Sequence, residues 1–258
     1  MKVFIEKDSD STGKAAAGMI AEEIRKNPNM AIAFPTGPTP LKCYEYLVKM
    51  HREDGLDFSG ICGFNMDEYV PLSKEHPQSY YYFMRKYLYD QVNFREENMY
   101  APDAAAEDLD KACREYTDKI IEKGYFDLIL LGIGRDGHIA FNMPGEKSRV
   151  FAYVEQLSEK TVQDNSRFFG PDEKVPDRAI TLGMNIILNS KKVILIADGE
   201  GKSEAVGRFL NNQEIAPELP ASFLWIHPDV TVILDEKAAS QVNPLVPLTG
   251  YYGTIIRR

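Results

Sequence analysis

Phe126-Asp127-Leu128-Ile129-Leu130-Leu131-Gly132-Ile133-Gly134-Arg135-Asp136-Gly137-His138 is a short apolar run that breaks at two glycines and then presents an acid and an imidazole on a tight turn. An apolar run of this length, bounded by glycine, reads as a buried strand. Asp136 and His138 then stand at its carboxyl end, where ligands bind in open α/β folds. A carboxylate two residues from a histidine is a standard way to hold an imidazole in one tautomer for proton transfer.

Outward from this run, apolar stretches alternate with amphipathic ones. Strands are expected at 3–5, 30–34, 60–66, 191–197, 222–226 and 230–234, besides 126–131. Helices are expected at 11–26, 39–52, 79–92, 105–123 and 201–211. In the first helix, Ala15, Ile20 and Ile24 fall at helical spacing and Asn27-Pro28 ends it. Such alternation predicts an α/β fold, a mostly parallel sheet with helices on both faces. No repeat, low-complexity segment or linker interrupts the pattern, so residues 1–258 are expected to form one domain. The tail, 244–258, shows no clear periodicity.

Composition narrows the function. The chain has 258 residues, and 30 Lys plus Arg against 39 Asp plus Glu give a net charge of −9. Such an acidic chain is a poor nucleic-acid binder, because phosphate neutralisation needs a basic face. A small anionic substrate is compatible if cationic groups concentrate at one site. Cys43, Cys62 and Cys113 show no C-x-x-C spacing, which fits a reducing cytosol. The start, Met1 to Lys7, reads as a first strand without the apolar core of a signal peptide, and no apolar run reaches membrane-spanning length. A cytoplasmic protein without nucleic-acid or membrane partners is expected. With four histidines and no second ligand spaced to His138, no metal or other cofactor is expected.

Four further motifs bear on chemistry. Phe34-Pro35-Thr36-Gly37-Pro38-Thr39-Pro40 follows a strand and opens a helix. Free N–H groups there, with the Thr36 and Thr39 hydroxyls, make an anion cradle, though a plain strand–helix turn reads the same way. Phe64-Asn65-Met66-Asp67-Glu68-Tyr69 carries two adjacent carboxylates out of a strand, either a proton acceptor or a solvated, capping turn. In Gly199-Glu200-Gly201-Lys202-Ser203, Lys202 falls in the first turn of a helix, where a cation is unfavourable unless an anion binds beside it. Asn165-Ser166-Arg167-Phe168-Phe169 offers a guanidinium suited to phosphate, or ordinary helix packing.

Together and in this order, FPTGPTP, FNMDEYVPL with HPQSYYYFM, LGIGRDGHIAFN, DNSRFF and the GEGK turn resemble the glucosamine-6-phosphate deaminase (isomerase) family over nearly the whole chain. The late segments from Ala179 to Gly183, GEGKSEAVGRFL and PASFLWIHPD look more like its galactosamine-6-phosphate branch. The resemblance implies a Rossmann-like sheet and conversion of an amino-sugar 6-phosphate to a ketose 6-phosphate plus ammonia, after ring opening and proton transfer from C2 to C1. It implies Asp67 as the base for that transfer, His138 as the ring-opening acid/base with Asp136 as its partner, and Thr36, Gly37, Thr39, Arg167 and Lys202 around the phosphate. Family members occur as monomers and as hexamers, so the resemblance allows a homo-oligomer.

Three departures stand out. The family has Glu where this chain has Met143, and Met neither accepts a proton nor orients an imidazole. Glu146, three residues on, is a candidate compensating acid. Pro38 removes one N–H donor from the cradle. Tyr153-Val154-Glu155-Gln156 stands where allosteric members carry a basic segment for an effector phosphate, which Glu155 would repel. The leading expectation is therefore a deaminase/isomerase not activated by an N-acetylated sugar phosphate. The alternatives are a 6-phosphogluconolactonase, which needs no C2 deprotonation, and a non-catalytic sugar-phosphate sensor.

Overall fold

The computed structural model describes residues 1–166, 169–170, 173–243 and 254–257. Its chain order is β1 (Lys2–Glu6), α1 (Ser9–Lys26), β2 (Ala31–Phe34), α2 (Leu41–Asp54), β3 (Cys62–Asn65), β4 (Asp67–Val70), α3 (Tyr80–Tyr87), β5 (Met99–Tyr100), α4 (Leu109–Glu122) and β6 (Leu128–Leu131). It continues with β7 (Tyr153–Gln156), α5 (Glu159–Ser166), β8 (Arg178–Thr181), α6 (Met184–Leu188), β9 (Val193–Ala197), α7 (Ser203–Asn211), β10 (Val230–Asp235) and β11 (Thr254–Arg257).

Among the described residues, eight strands form one parallel sheet in the order β11-β1-β10-β9-β6-β2-β3-β5. Period-2 alternation sends Val193, Leu195 and Ala197 of β9 to one face and Ile194 and Ile196 to the other. The first face is covered by α4, α6 and α7 through Tyr116, Ile120, Ile187, Val206 and Phe209. The second is covered by α1, α2 and α3 through Ile20, Ile24, Tyr44, Leu47 and Met84. Burial on both faces explains why these strands read as continuous apolar runs.

Helix starts are set by short polar side chains. Asp8 accepts from Ser11 N at 2.9 Å at the start of α1, and Ser79 Oγ accepts from Tyr82 N at 3.0 Å at the start of α3.

The structure corrects the sequence reading in two places. Residues 222–226, expected as a strand, lie in a 3-10 helix, Pro220–Ile226. Pro220 suits its first turn, and Ser222 N and His227 N bond three residues back, to Leu219 O and Leu224 O. The short apolar run had matched either conformation. Residues 67–70, where no strand was expected, form β4, which leaves the main sheet and pairs antiparallel with β8, as β7 does. One face of this small sheet, with Val70 and Ile180, packs on Ala112 and Cys113 of α4. The other face, with Tyr69 and Ala179, packs on Phe141 and Leu157. The tail supplies β11, which extends the sheet beside β1; residues 244–253 and 258 lie outside the described residues.

Candidate active site

From β1 the chain winds outward through β2, β3 and β5, then returns to place β6 between β2 and β9 and winds the other way through β9 and β10. The direction of winding therefore reverses between β2 and β6. Loops leaving two adjacent parallel strands part there and open a crevice at the carboxyl edge. The turn after β2 carries Thr36 and Gly37, and the turn after β6 carries Asp136 and His138.

The β6 turn is tightly built. Gly134 N bonds His138 O at 2.8 Å, and Gly137 takes a φ of 93°, in the left-handed region that favours glycine. A Cβ on Gly134 would run into the His138 ring and lie 2.6 Å from Asp136 Oδ1. The Gly137 carbonyl accepts from Ala221 N at 3.0 Å, so the 3-10 segment misread as a strand anchors the turn. His138 Nδ1 approaches Asp136 Oδ1 at 2.7 Å, without the alignment of a directed hydrogen bond. Burial works to raise the Asp136 carboxyl, but the imidazole beside it and neighbouring backbone N–H groups hold it down at about 2. The pairing presents Nδ1 to the carboxylate and leaves Nε2 for other partners.

β4 holds the second chemical group. Asp67 is 7% exposed, and among the described residues its carboxylate accepts no hydrogen bond. Burial first, then the charge of Glu68, pushes it from 3.8 up to about 8. Glu68, 1% exposed, has a different task. It accepts from Tyr69 N at 3.0 Å, Tyr80 N at 2.8 Å and Tyr81 N at 2.9 Å, and so caps α3. Burial raises it to about 7, with those three N–H groups pulling it down.

Thr181 links the two halves. It pairs with Asp67 across the small sheet, and its Oγ1 accepts from Phe141 N at 2.9 Å. Asn142 Nδ2 donates to Leu182 O at 2.8 Å, while Ala140 takes a φ of 48°, a costly value for a residue with a Cβ. The Phe141 ring lies 6.3 Å from the His138 ring and 6.1 Å from those of Tyr69 and Tyr80, forming an aromatic wall from the turn to β4.

In the turn after β2, Gly37 has a φ of 96° and no side chain caps α2. Tyr44 of α2 donates its hydroxyl to Pro35 O, tying that turn to the helix it opens. Thr39 is engaged: its Oγ1 donates to Asp198 Oδ1 at 2.6 Å, and Ser9 Oγ donates to Asp198 Oδ2 at 2.7 Å. Lys202 ends a 3-10 turn, Glu200–Lys202, directly before α7. Arg167 lies outside the described residues.

Met143 packs against the cluster of Tyr69, Tyr80, Phe141 and Leu157. Glu146 is exposed, and among the described residues no hydrogen bond or ion pair joins it to His138. No group of three or more His, Cys, Asp or Glu among the described residues gathers at metal-binding range. Sequence reasoning missed Thr181, because antiparallel pairing across 114 positions leaves no local trace. It also missed Arg135, whose position beside Asp136 was the available signal.

A perturbed, unpartnered carboxylate and an Asp–His pair at the switch point of a parallel sheet define a small-molecule enzyme of the doubly wound α/β class. The family described as Glucosamine-6-phosphate isomerases/6-phosphogluconolactonase matches residues 7–233, and the chain belongs to it. It is 42% identical over 242 residues to a glucosamine-6-phosphate deaminase of Thermoanaerobacter pseudethanolicus, covering 94% of this chain and 95% of the relative. It is 43% identical over 244 residues to that of Clostridioides difficile, covering 95% and 98%. A solved structure described as a monomeric glucosamine-6-phosphate deaminase matches at TM-score 0.90 and 37% identity, over 93% of this chain and 100% of that one. A 6-phosphogluconolactonase from Trypanosoma cruzi shares the fold at TM-score 0.73 and 22% identity, over 94% and 97%.

Proposed function

We propose that this enzyme converts glucosamine 6-phosphate to fructose 6-phosphate and ammonia. The observation that carries this reading is Asp67, a buried carboxylate with no hydrogen-bond donor committed to it and a pKa raised to about 8. A general base works best with a pKa near the operating pH. Lactone hydrolysis has no C2 proton to remove and leaves such a group without a task. The 37–43% identity to deaminases supports the same reading.

In the proposed reaction, His138 accepts the anomeric hydroxyl proton and returns it to the ring oxygen, with Asp136 stabilising the imidazolium. Asp67 then takes the C2 proton of the open-chain amino aldehyde and delivers it to C1, while a proton of the substrate's ammonium group passes to O1, leaving a C1 hydroxyl and a C2 iminium. Water adds to the iminium, and ammonia leaves. Thr36, Gly37 and Lys202, with Arg167, would hold the phosphate. The aromatic wall and Met143 exclude water from one side of the reacting carbons.

Glu155, half-buried on β7, stands against binding of an anionic effector there, so we propose an enzyme without such activation. No helix among the described residues is long and apolar enough to cross a membrane, and the buried free cysteines suit a cytoplasmic setting, which we propose. The decisive test is ammonia release from glucosamine 6-phosphate, galactosamine 6-phosphate and N-acetylglucosamine 6-phosphate in parallel. Ammonia from the first is expected. Ammonia from galactosamine 6-phosphate alone reassigns the sugar, and none from either amine removes the reading.

A further inference from the structure

We infer that Arg135 is a phosphate-binding residue of this site, reaching from the β6 turn to the β9 turn to grip the substrate's phosphate; this rests on the function proposed above. Arg135 directly precedes Asp136, yet its guanidinium lies against the neighbouring turn. From the position that a Cβ on Gly201 would occupy, Arg135 Nε is 3.4 Å away, Cζ 3.6 Å and Nη2 3.7 Å. The two turns leave adjacent strands, paired through Leu131 and Leu195. At these distances a Cβ would make only ordinary van der Waals contact, and the guanidinium lies along the turn one residue from Lys202.

The side chain is exposed, and among the described residues it forms no hydrogen bond or ion pair. Among the described residues no acid pairs with it, Glu200 beside Gly201 included, and three acids of the neighbouring turns have partners of their own. Asp136 faces His138, Asp198 accepts from Ser9 and Thr39, and Asp235 accepts from Gly199 N and Ala238 N. The guanidinium is left with all its donors available at the carboxyl edge of the sheet. A planar, permanently charged fork matches a dianionic phosphate ester, which accepts two parallel N–H bonds from it. It also compensates for the N–H that Pro38 removes from the opposite cradle.

The test compares Arg135→Ala and Arg135→Lys with the wild type, reading KM and kcat for glucosamine 6-phosphate, the inhibition constant of inorganic phosphate, and the thermal midpoint. In Arg135→Ala, KM and the phosphate constant are expected to rise together by roughly ten- to a hundredfold. The kcat should stay within about threefold, and the midpoint should not move, since the side chain is exposed. Arg135→Lys should recover part of the loss, keeping the charge without the fork. A KM and a phosphate constant both within about twofold of wild type in Arg135→Ala would overturn the assignment. Calorimetric titration with inorganic phosphate needs no turnover and separates the two readings. If the wild type releases no ammonia, the deaminase reading fails; weaker phosphate binding by Arg135→Ala still upholds the role of Arg135, and unchanged binding ends it.

Discussion

The β4 arm and the β6 turn each carry a carboxylate, and the protein sets them to opposite states. Asp67 is enclosed without a donor beside an acidic neighbour and rises to about 8. Asp136 is half-open, sits against an imidazole and falls to about 2. Burial acts in the same direction on both, so the partner decides the outcome. Glu68, adjacent to Asp67 and equally buried, adds a third state, in which three backbone donors commit the carboxylate to structure. Carboxylates that titrate this far apart can offer a proton acceptor and a fixed negative charge at the same pH.

The largest effect should come from Asp67→Asn. Loss of the base should lower kcat by on the order of a thousandfold or more with little change in KM. The same change should raise stability. The folded pKa of about 8 lies above the ordinary 3.8, so the favourable contribution of the neutral form is lost as pH rises between those values. An amide stays neutral throughout, and a gain on the order of 2–4 kcal/mol at pH 7 is expected in denaturant titration. In the wild type, kcat/KM should rise with pH up to an apparent pKa near 8, and a flat profile from pH 6 to 9 would exclude Asp67 as the base.

Glu68→Ala should act on the fold first. It strands two N–H groups at the start of α3 and one in β4, at a cost of about 3–5 kcal/mol, read as a lower denaturation midpoint. Asp136→Asn leaves the turn's shape but removes the charge facing the imidazole; kcat should drop by roughly ten- to a hundredfold, with ring opening as the slowed step. Supplying substrate already in its open-chain form should restore most of that loss, whereas Asp67→Asn should gain nothing from it. The smallest effect belongs to Met143→Glu. If ring opening limits the rate, turnover should rise by a few-fold, set against the roughly 1–3 kcal/mol cost of a carboxylate in an aromatic cluster.

Much of this architecture is local and therefore legible. The capped helix after Asp8, the apolar runs that become β6, β9 and β10, and the acid–imidazole turn all depend on residues within a few positions of one another. The small sheet was not legible. β4, β7 and β8 are four residues each, and their pairing joins segments far apart in sequence. Residues 220–226 show the converse, an apolar run whose hydrogen bonds close locally into a helical turn.

The sequence by itself determined that an acid–imidazole turn and two glycine-bearing turns leave strands of a parallel sheet, because strand ends and turn glycines are written in local chemistry. Tertiary structure alone decided which carboxylate is left without a hydrogen-bond donor and which is a cap, that Thr39 is tied to Asp198, and that Arg135 lies over the next turn. Protonation and partnership depend on what surrounds a side chain in space, and for these residues the surroundings come from distant parts of the chain.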